Sequence, residues 1–158
     1  MKRRVTVGFS RSRRWNPFSA LIQWWYGTPY SHTFIRWETP WGFEEILEAS
    51  TTSVRMMNKS VWSEKNHIID EFEIELTSQQ FGLMMTHCRT LLGTPYGWGQ
   101  VVGLMAQELF QLKRNPISEG ILCSELLYTF IEDVLGEPLA EGKDSASSLT
   151  IYNHMRNR

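Results

Sequence analysis

Cysteine is scarce in this chain. Cys88 and Cys123 stand 35 positions apart in 158 residues, with no spacing pattern of a disulfide scaffold, so two free thiols in a reducing compartment are the expectation. Long apolar runs are missing as well, and nothing approaches the roughly 18 residues of a bilayer span. The opening MKRRVTVGFS carries charge but too few apolar residues before Ser10 and Arg11 to read as a secretory signal. A soluble protein, cytoplasmic as made, is expected. There is no Gly-rich loop followed by Lys-Ser/Thr, no His-Glu-x-x-His, no Gly-x-Ser-x-Gly elbow and no Cys/His set spaced for zinc, which sets aside phosphate-loop, zincin and serine-elbow chemistries. No cofactor or metal is called for. Net charge is also small, −1, and argues against a chain devoted to nucleic acid. Acidic residues are missing from the first 37 positions, however, where Lys2, Arg3, Arg4, Arg11, Arg13 and Arg14 gather. That run reads first as a solvated strand flank, and otherwise as a contact for an anionic surface such as lipid headgroups, wall polymer or nucleic acid.

What is present is ordinary globular material rich in aromatics: 42% hydrophobic, 13% aromatic, seven tryptophans. The length suits one domain, residues 1–158, with a single core. Val5, Val7 and Phe9 alternate as a short strand. Asn16-Pro17 opens a helix with Phe18, Leu21, Ile22 and Trp25 on one stripe, closed by Gly27 and Pro29. Trp24 and Trp25 cannot share a stripe, and a short Trp-rich helix in a domain this size is expected to pack over the core, although arginines followed by aromatics also mark interfacial helices. Residues 31–37 and 43–49 read as a hairpin around Pro40, and 68–76 as another strand. The second half is helical. Thr77 or Ser78 caps a helix through Phe81, Met84, Cys88 and Leu92; another runs from about Gly99 to Leu112 before Asn115-Pro116; a third spans Cys123 to Leu135 and stops at Gly136. Residues 138–148 look like loop, and a last short helix holds 149–155.

Cys123 begins the helix with the most apolar single face. A thiol there meets backbone N–H groups and the positive end of the helix dipole, which favour the thiolate and can also hold an oxyanion. A small buried hydrophobe is the plain alternative, and it is the reading for Cys88, in mid-helix on an apolar stripe. A cysteine nucleophile needs a base. His87 lies beside an apolar stripe, His67 in a polar loop and His154 in a charged tail, whereas His32 opens a strand that can present an imidazole rigidly. A turn centred on Pro40 sets Arg36 opposite Glu44, Phe34 opposite Ile46 and His32 opposite Glu48, so that Glu48 can orient the ring. A one-residue slip would undo that pairing.

The segments Tyr30-Ser31-His32-Thr33-Phe34-Ile35, Glu48-Ala49 and Ile121-Leu122-Cys123-Ser124-Glu125-Leu126 together resemble the permuted branch of the NlpC-type papain-like hydrolases, which includes YiiX-like and lecithin:retinol acyltransferase-like proteins. Gly8-Phe9-Ser10 and Pro95-Tyr96-Gly97-Trp98 extend the likeness to about Leu135. Histidine precedes cysteine, the reverse of papain order. The strand after His32 is more polar than is common there, through Thr33 and Arg36, and the third catalytic position varies in that branch. The resemblance implies an α+β papain-like fold, circularly permuted, with an antiparallel sheet packed against a central helix that starts at the catalytic cysteine. It implies Cys123, His32 and Glu48 as the catalytic set, with Tyr30, Ser31, Tyr96 and Ser124 as candidates for contact with substrate or oxyanion. The activity implied is attack on an amide or ester carbonyl through an acyl-enzyme. A peptidoglycan stem peptide, in a bacterial or phage setting, is the first substrate expected, and a lipid acyl group the second. A catalytically idle scaffold in a virion or tail assembly is the reading from another class.

Overall fold

Alternation along the first strand sets the frame. The computed structural model describes residues 2–113, 117, 119–139, 142, 143 and 146–158. In it β1 (Lys2–Ser12) is paired on both sides, with β2 (His32–Glu38) and with β5 (Asn66–Thr77). β3 (Glu44–Ala49) and β4 (Val54–Asn58) complete a five-stranded sheet of order β4-β3-β2-β1-β5 in which every pairing is antiparallel. Helices α1 (Pro17–Tyr26), α2 (Lys59–Ser63), α3 (Ser78–Leu91), α4 (Trp98–Phe110), α5 (Cys123–Thr129) and α6 (Ser148–Asn157) surround it, and α5 runs on into a π-helical turn, Phe130–Leu135. The class is α+β. Among the described residues no helix is long and apolar enough to cross a membrane.

Strand alternation divides the apolar residues between two faces. Val5, Val7, Phe9, Ile35, Leu47 and Ile74 meet Met84 of α3, Leu126 and Leu127 of α5, and Ile151 of α6 in the main core. The opposite face carries a smaller cluster of Phe34, Ile46 and Trp62, the last from α2. Gly8 pairs directly with Phe34. A β-carbon at Gly8 would lie 2.0 Å from the Phe34 ring, so only glycine lets that ring lie across β1.

The hairpin differs from its sequence reading. Phe34 pairs with Glu48, Arg36 with Ile46 and Glu38 with Glu44. The register is thus displaced by two residues, and His32 lies diagonal to Glu48 rather than opposite it. The reason is the connection, a five-residue loop from Thr39 to Phe43, closed by the Thr39 N–H donating to the Phe43 carbonyl (2.8 Å) and turned by Gly42 at φ +80°. Because side chains alternate with period two, a two-residue shift keeps His32 and Glu48 on one face.

β4 and α2 have no counterpart in the sequence reading, and His67 is in β5, paired with Arg11, rather than in a loop. The α3 cap is as expected: Thr77 Oγ1 accepts from the Gln80 N–H (3.2 Å) while Gln80 Oε1 accepts from the Thr77 N–H (3.0 Å). α4 begins at Trp98 and the last helix extends to Asn157. The Asn115-Pro116 break lies outside the described residues. α1 adds no fully buried residue to the core; its Ile22, partly buried, packs against a third cluster of Val101, Leu104 and Leu122.

Candidate active site

Cys123 stands at the first position of α5, preceded by Leu122, which supplies no side-chain acceptor to cap the helix. Glu125 instead reaches back and accepts from the Leu122 N–H (2.8 Å). Thr33, from the core face of β2, donates its hydroxyl to the Cys123 carbonyl (2.8 Å) and so ties the helix start to the strand that opens with His32. The other neighbour is Tyr96. Its segment runs parallel to Ile121, with the Ile121 N–H donating to Pro95 O (3.0 Å) and the Gly97 N–H to Ile121 O (3.1 Å). Gly120, at φ +85°, permits this crossing, since a β-carbon there would lie 2.6 Å from Gly97 backbone.

His32 stands beside both expected partners. Its Nε2 lies 2.6 Å from Glu48 Oε2, and the ring is close enough to Cys123 for each to shift the other's ionisation. Glu48 is buried and fully engaged. Oε2 also accepts from Trp62 Nε1 (2.6 Å), and Oε1 accepts from Arg55 Nε (2.9 Å) and Nη2 (2.7 Å). Burial opposes ionisation of this carboxyl, yet the imidazolium and the hydrogen bonds from His32, Trp62 and Arg55 hold it at about 2. Burial likewise works against charge on His32, but the Glu48 carboxylate, followed by Cys123, raises it to about 10. At Cys123 burial pushes the thiol up, and the hydrogen bond and charge of His32, with help from Thr33, bring it below the ordinary value. The direction is that of a thiolate–imidazolium pair backed by a carboxylate.

Two cavities flank this set. A cleft of about 260 Å³ is lined by His32, Glu48, Arg55, Lys65, Trp98 and Phe18 among others. A smaller one of about 30 Å³ reaches Cys123 between Ile22 and Tyr26 of α1 and Val101 and Leu104 of α4. Ser31 and Tyr96 border both. The Ser31 hydroxyl lies 2.5 Å from that of Ser19, and Ser124 is buried in the smaller cavity. Tyr96 lines the pocket with Cys123, and burial, followed by the charge at Cys123, raises its phenol well above the usual value.

Tyr30 is not part of the site. Its ring stacks on Tyr152 (5.1 Å) and meets Phe9 edge-on (5.0 Å), it lines neither cavity, and its hydroxyl has no hydrogen-bond partner among the described residues. Cys88 is a buried packing residue, its thiol pushed up to about 12 by burial. His87 and His154 are engaged elsewhere, with Thr129 (2.9 Å) and Glu137 (2.9 Å). Among the described residues no group of three His, Cys, Asp or Glu side chains is placed to hold a metal ion. The basic run divides along β1. Arg3 lies over the Phe81 ring (5.1 Å) and Arg4 pairs in the ladder with Glu75, while Arg11, Arg13 and Arg14 border a separate cleft beside α1.

Sequence reasoning missed Arg55 and Trp62, the two donors that complete Glu48. Arg55 is directly opposite Glu48 in the β3–β4 ladder, but β4 is too short and mixed to show a period. Neither the family models nor the curated proteins contain a match to this chain.

Proposed function

We propose that this protein is a papain-like cysteine hydrolase of the permuted NlpC type, with Cys123 as nucleophile, His32 as base and then acid, and Glu48 as the group that orients the ring. The observation that supports this reading is the 2.6 Å contact of His32 with the buried Glu48 carboxylate, beside a Cys123 whose thiol the His32 charge draws below its ordinary value. The thiolate attacks an amide or ester carbonyl, and the carbonyl oxygen takes the negative charge beside the N–H groups that open α5 and the Tyr96 hydroxyl. His32 protonates the leaving amine or alcohol as the tetrahedral intermediate collapses to an acyl-enzyme. It then takes a proton from water as that water attacks the thioester, which breaks the C–S bond, releases the acid and restores the thiolate–imidazolium pair.

A peptidoglycan stem peptide is the first substrate class. Its support is the larger cleft, where Arg55 and Lys65 offer positive charge to carboxylates and Phe18, Tyr96 and Trp98 offer flat surfaces. A lipid acyl ester is the second reading, favoured by the apolar pocket at Cys123. Incubation with purified peptidoglycan and with acyl lipids, followed by mass analysis of the products, tests both against Cys123→Ala. Release of a new amine or fatty acid by the native chain and none by the variant is expected. Turnover of neither, with an unreactive Cys123, would favour the idle scaffold.

A further inference from the structure

α1 and α4 lie side by side and run in the same direction. Phe18 meets Trp98 near their starts (4.4 Å), Ile22 packs with Val101 and Leu104, and Trp25 Nε1 donates to Glu108 near their ends (2.6 Å). Their inner residues wall the pocket at Cys123. Their outer residues are mostly apolar too, Glu108 of α4, held by Trp25, being the exposed charge among them. On α1 the solvent-facing positions are Pro17, Ala20, Leu21 and Trp24, a helical stripe with neither a charge nor a hydroxyl. Trp24 is 75% exposed, and Trp15, just ahead of the helix, is 83% exposed. On α4, Val102, Leu109 and Phe110 face out, the last two 66% and 67% exposed. A soluble domain ordinarily places polar residues at such positions, and a large apolar patch that stays exposed marks an interaction site.

The charge beside this stripe indicates the partner. Arg11, Arg13 and Arg14 border the cleft that ends at Trp15. Arg13 donates Nε to the Ser63 and Asn66 carbonyls (2.8 and 2.9 Å), which fixes the side chain without neutralising it. Arg11 and Arg14 have no salt bridge among the described residues, and no acidic residue precedes Glu38. Tryptophans at the edge of an apolar helical face, beside unpaired arginines, match an anionic lipid surface: rings at the headgroup boundary, guanidinium groups on phosphates, leucines just below.

We infer that the outer face of α1 and α4, with Trp15 and the Arg11–Arg14 segment, docks on an anionic phospholipid bilayer. The docking does not span it. It uses these two helices and the Arg11–Trp15 segment and would stand with Cys123 idle, so Cys123→Ala is expected to bind like the native chain, and loss of activity leaves the inference untouched.

The test is co-sedimentation at low ionic strength with phosphatidylcholine vesicles and with vesicles that also contain phosphatidylglycerol. Binding to the anionic vesicles is expected, with a blue shift of tryptophan emission, and should weaken as salt is added. Arg11→Gln with Arg14→Gln should lower the affinity about tenfold or more, and Trp24→Ser or Leu109→Ser should lower it comparably. These side chains are exposed, and circular dichroism checks that each variant folds. No binding to anionic vesicles overturns the inference, as does binding indifferent to salt or to Trp24→Ser and Leu109→Ser. A dimer that forms without vesicles and is lost in Leu109→Ser would overturn it too, because a second copy would then cover the face.

Discussion

Glu48 is the residue on which the site's electrostatics turn. A carboxylate this buried is costly unless each oxygen has donors, and here Trp62 and His32 share one oxygen while Arg55 holds the other. Trp62→Phe keeps the ring against Phe34 but removes a donor from a buried charge, and should cost about 1.5–3 kcal/mol in chemical denaturation. Stability should also report the ionisation directly. Glu48 falls from its ordinary 4.5 to about 2 on folding, so its contribution is full above 4.5 and is lost as pH drops through about 2. Glu48→Gln should remove that part of the acid limb in melting temperature against pH. On the alkaline side the contribution of His32 is full below 6.5 and fades through about 10, while that of the Cys123 thiolate grows up to 9.0. The two oppose each other there, and activity is the better readout. Hydrolysis should fall above about pH 10, when His32 no longer carries the proton for the leaving group, and Glu48→Gln should move that limb to lower pH. The His32–Glu48 contact was legible in the sequence because strand periodicity sets both side chains on one face. Arg55 and Trp62 were not, because nothing local marks an arginine or a tryptophan as a carboxylate's partner.

At the scale of elements, the hairpin shows how a register can be misjudged without harm. Pro40 suggested a turn centre, whereas the loop is centred one residue later, on Trp41, and every pairing moves by two. Strand periodicity still places His32, Phe34 and Glu48 on one face. The Gly8–Phe34 contact is the tightest constraint on that face. Gly8→Ala drives a methyl into the ring and should cost about 1–3 kcal/mol, read as a lower denaturation midpoint with an unchanged slope. α1 was the clearest departure. Its stripe was assigned to the core on the habit of short aromatic helices, but its outward positions are as apolar as its inward ones, and composition alone cannot say which side is covered.

Across the whole molecule, the sheet and α5 form one unit that brings distant segments of the chain together. Thr33 holds the Cys123 carbonyl across the layer, and Leu126 and Leu127, fully buried behind it, fix the helix against β2 and β3. Leu126→Ala should destabilise the domain by about 2–5 kcal/mol, and near the melting temperature it should lower Cys123 reactivity as well, because the helix start and the fold are lost together. The α+β class was what the resemblance implied, while the hairpin and a helix beginning at Cys123 were legible from turn residues and periodicity. The fifth strand was not, since β4 gains its order from Glu48 and Leu47 across the ladder rather than from its own pattern. In the proposed mechanism His32 makes Cys123 nucleophilic. Iodoacetamide labelling at neutral pH, followed residue by residue by mass spectrometry, tests it most directly. Cys123 should react far faster than Cys88, and His32→Ala should slow Cys123 by about tenfold or more. Equal rates at the two cysteines, together with a Cys123 rate unchanged in His32→Ala, would contradict it.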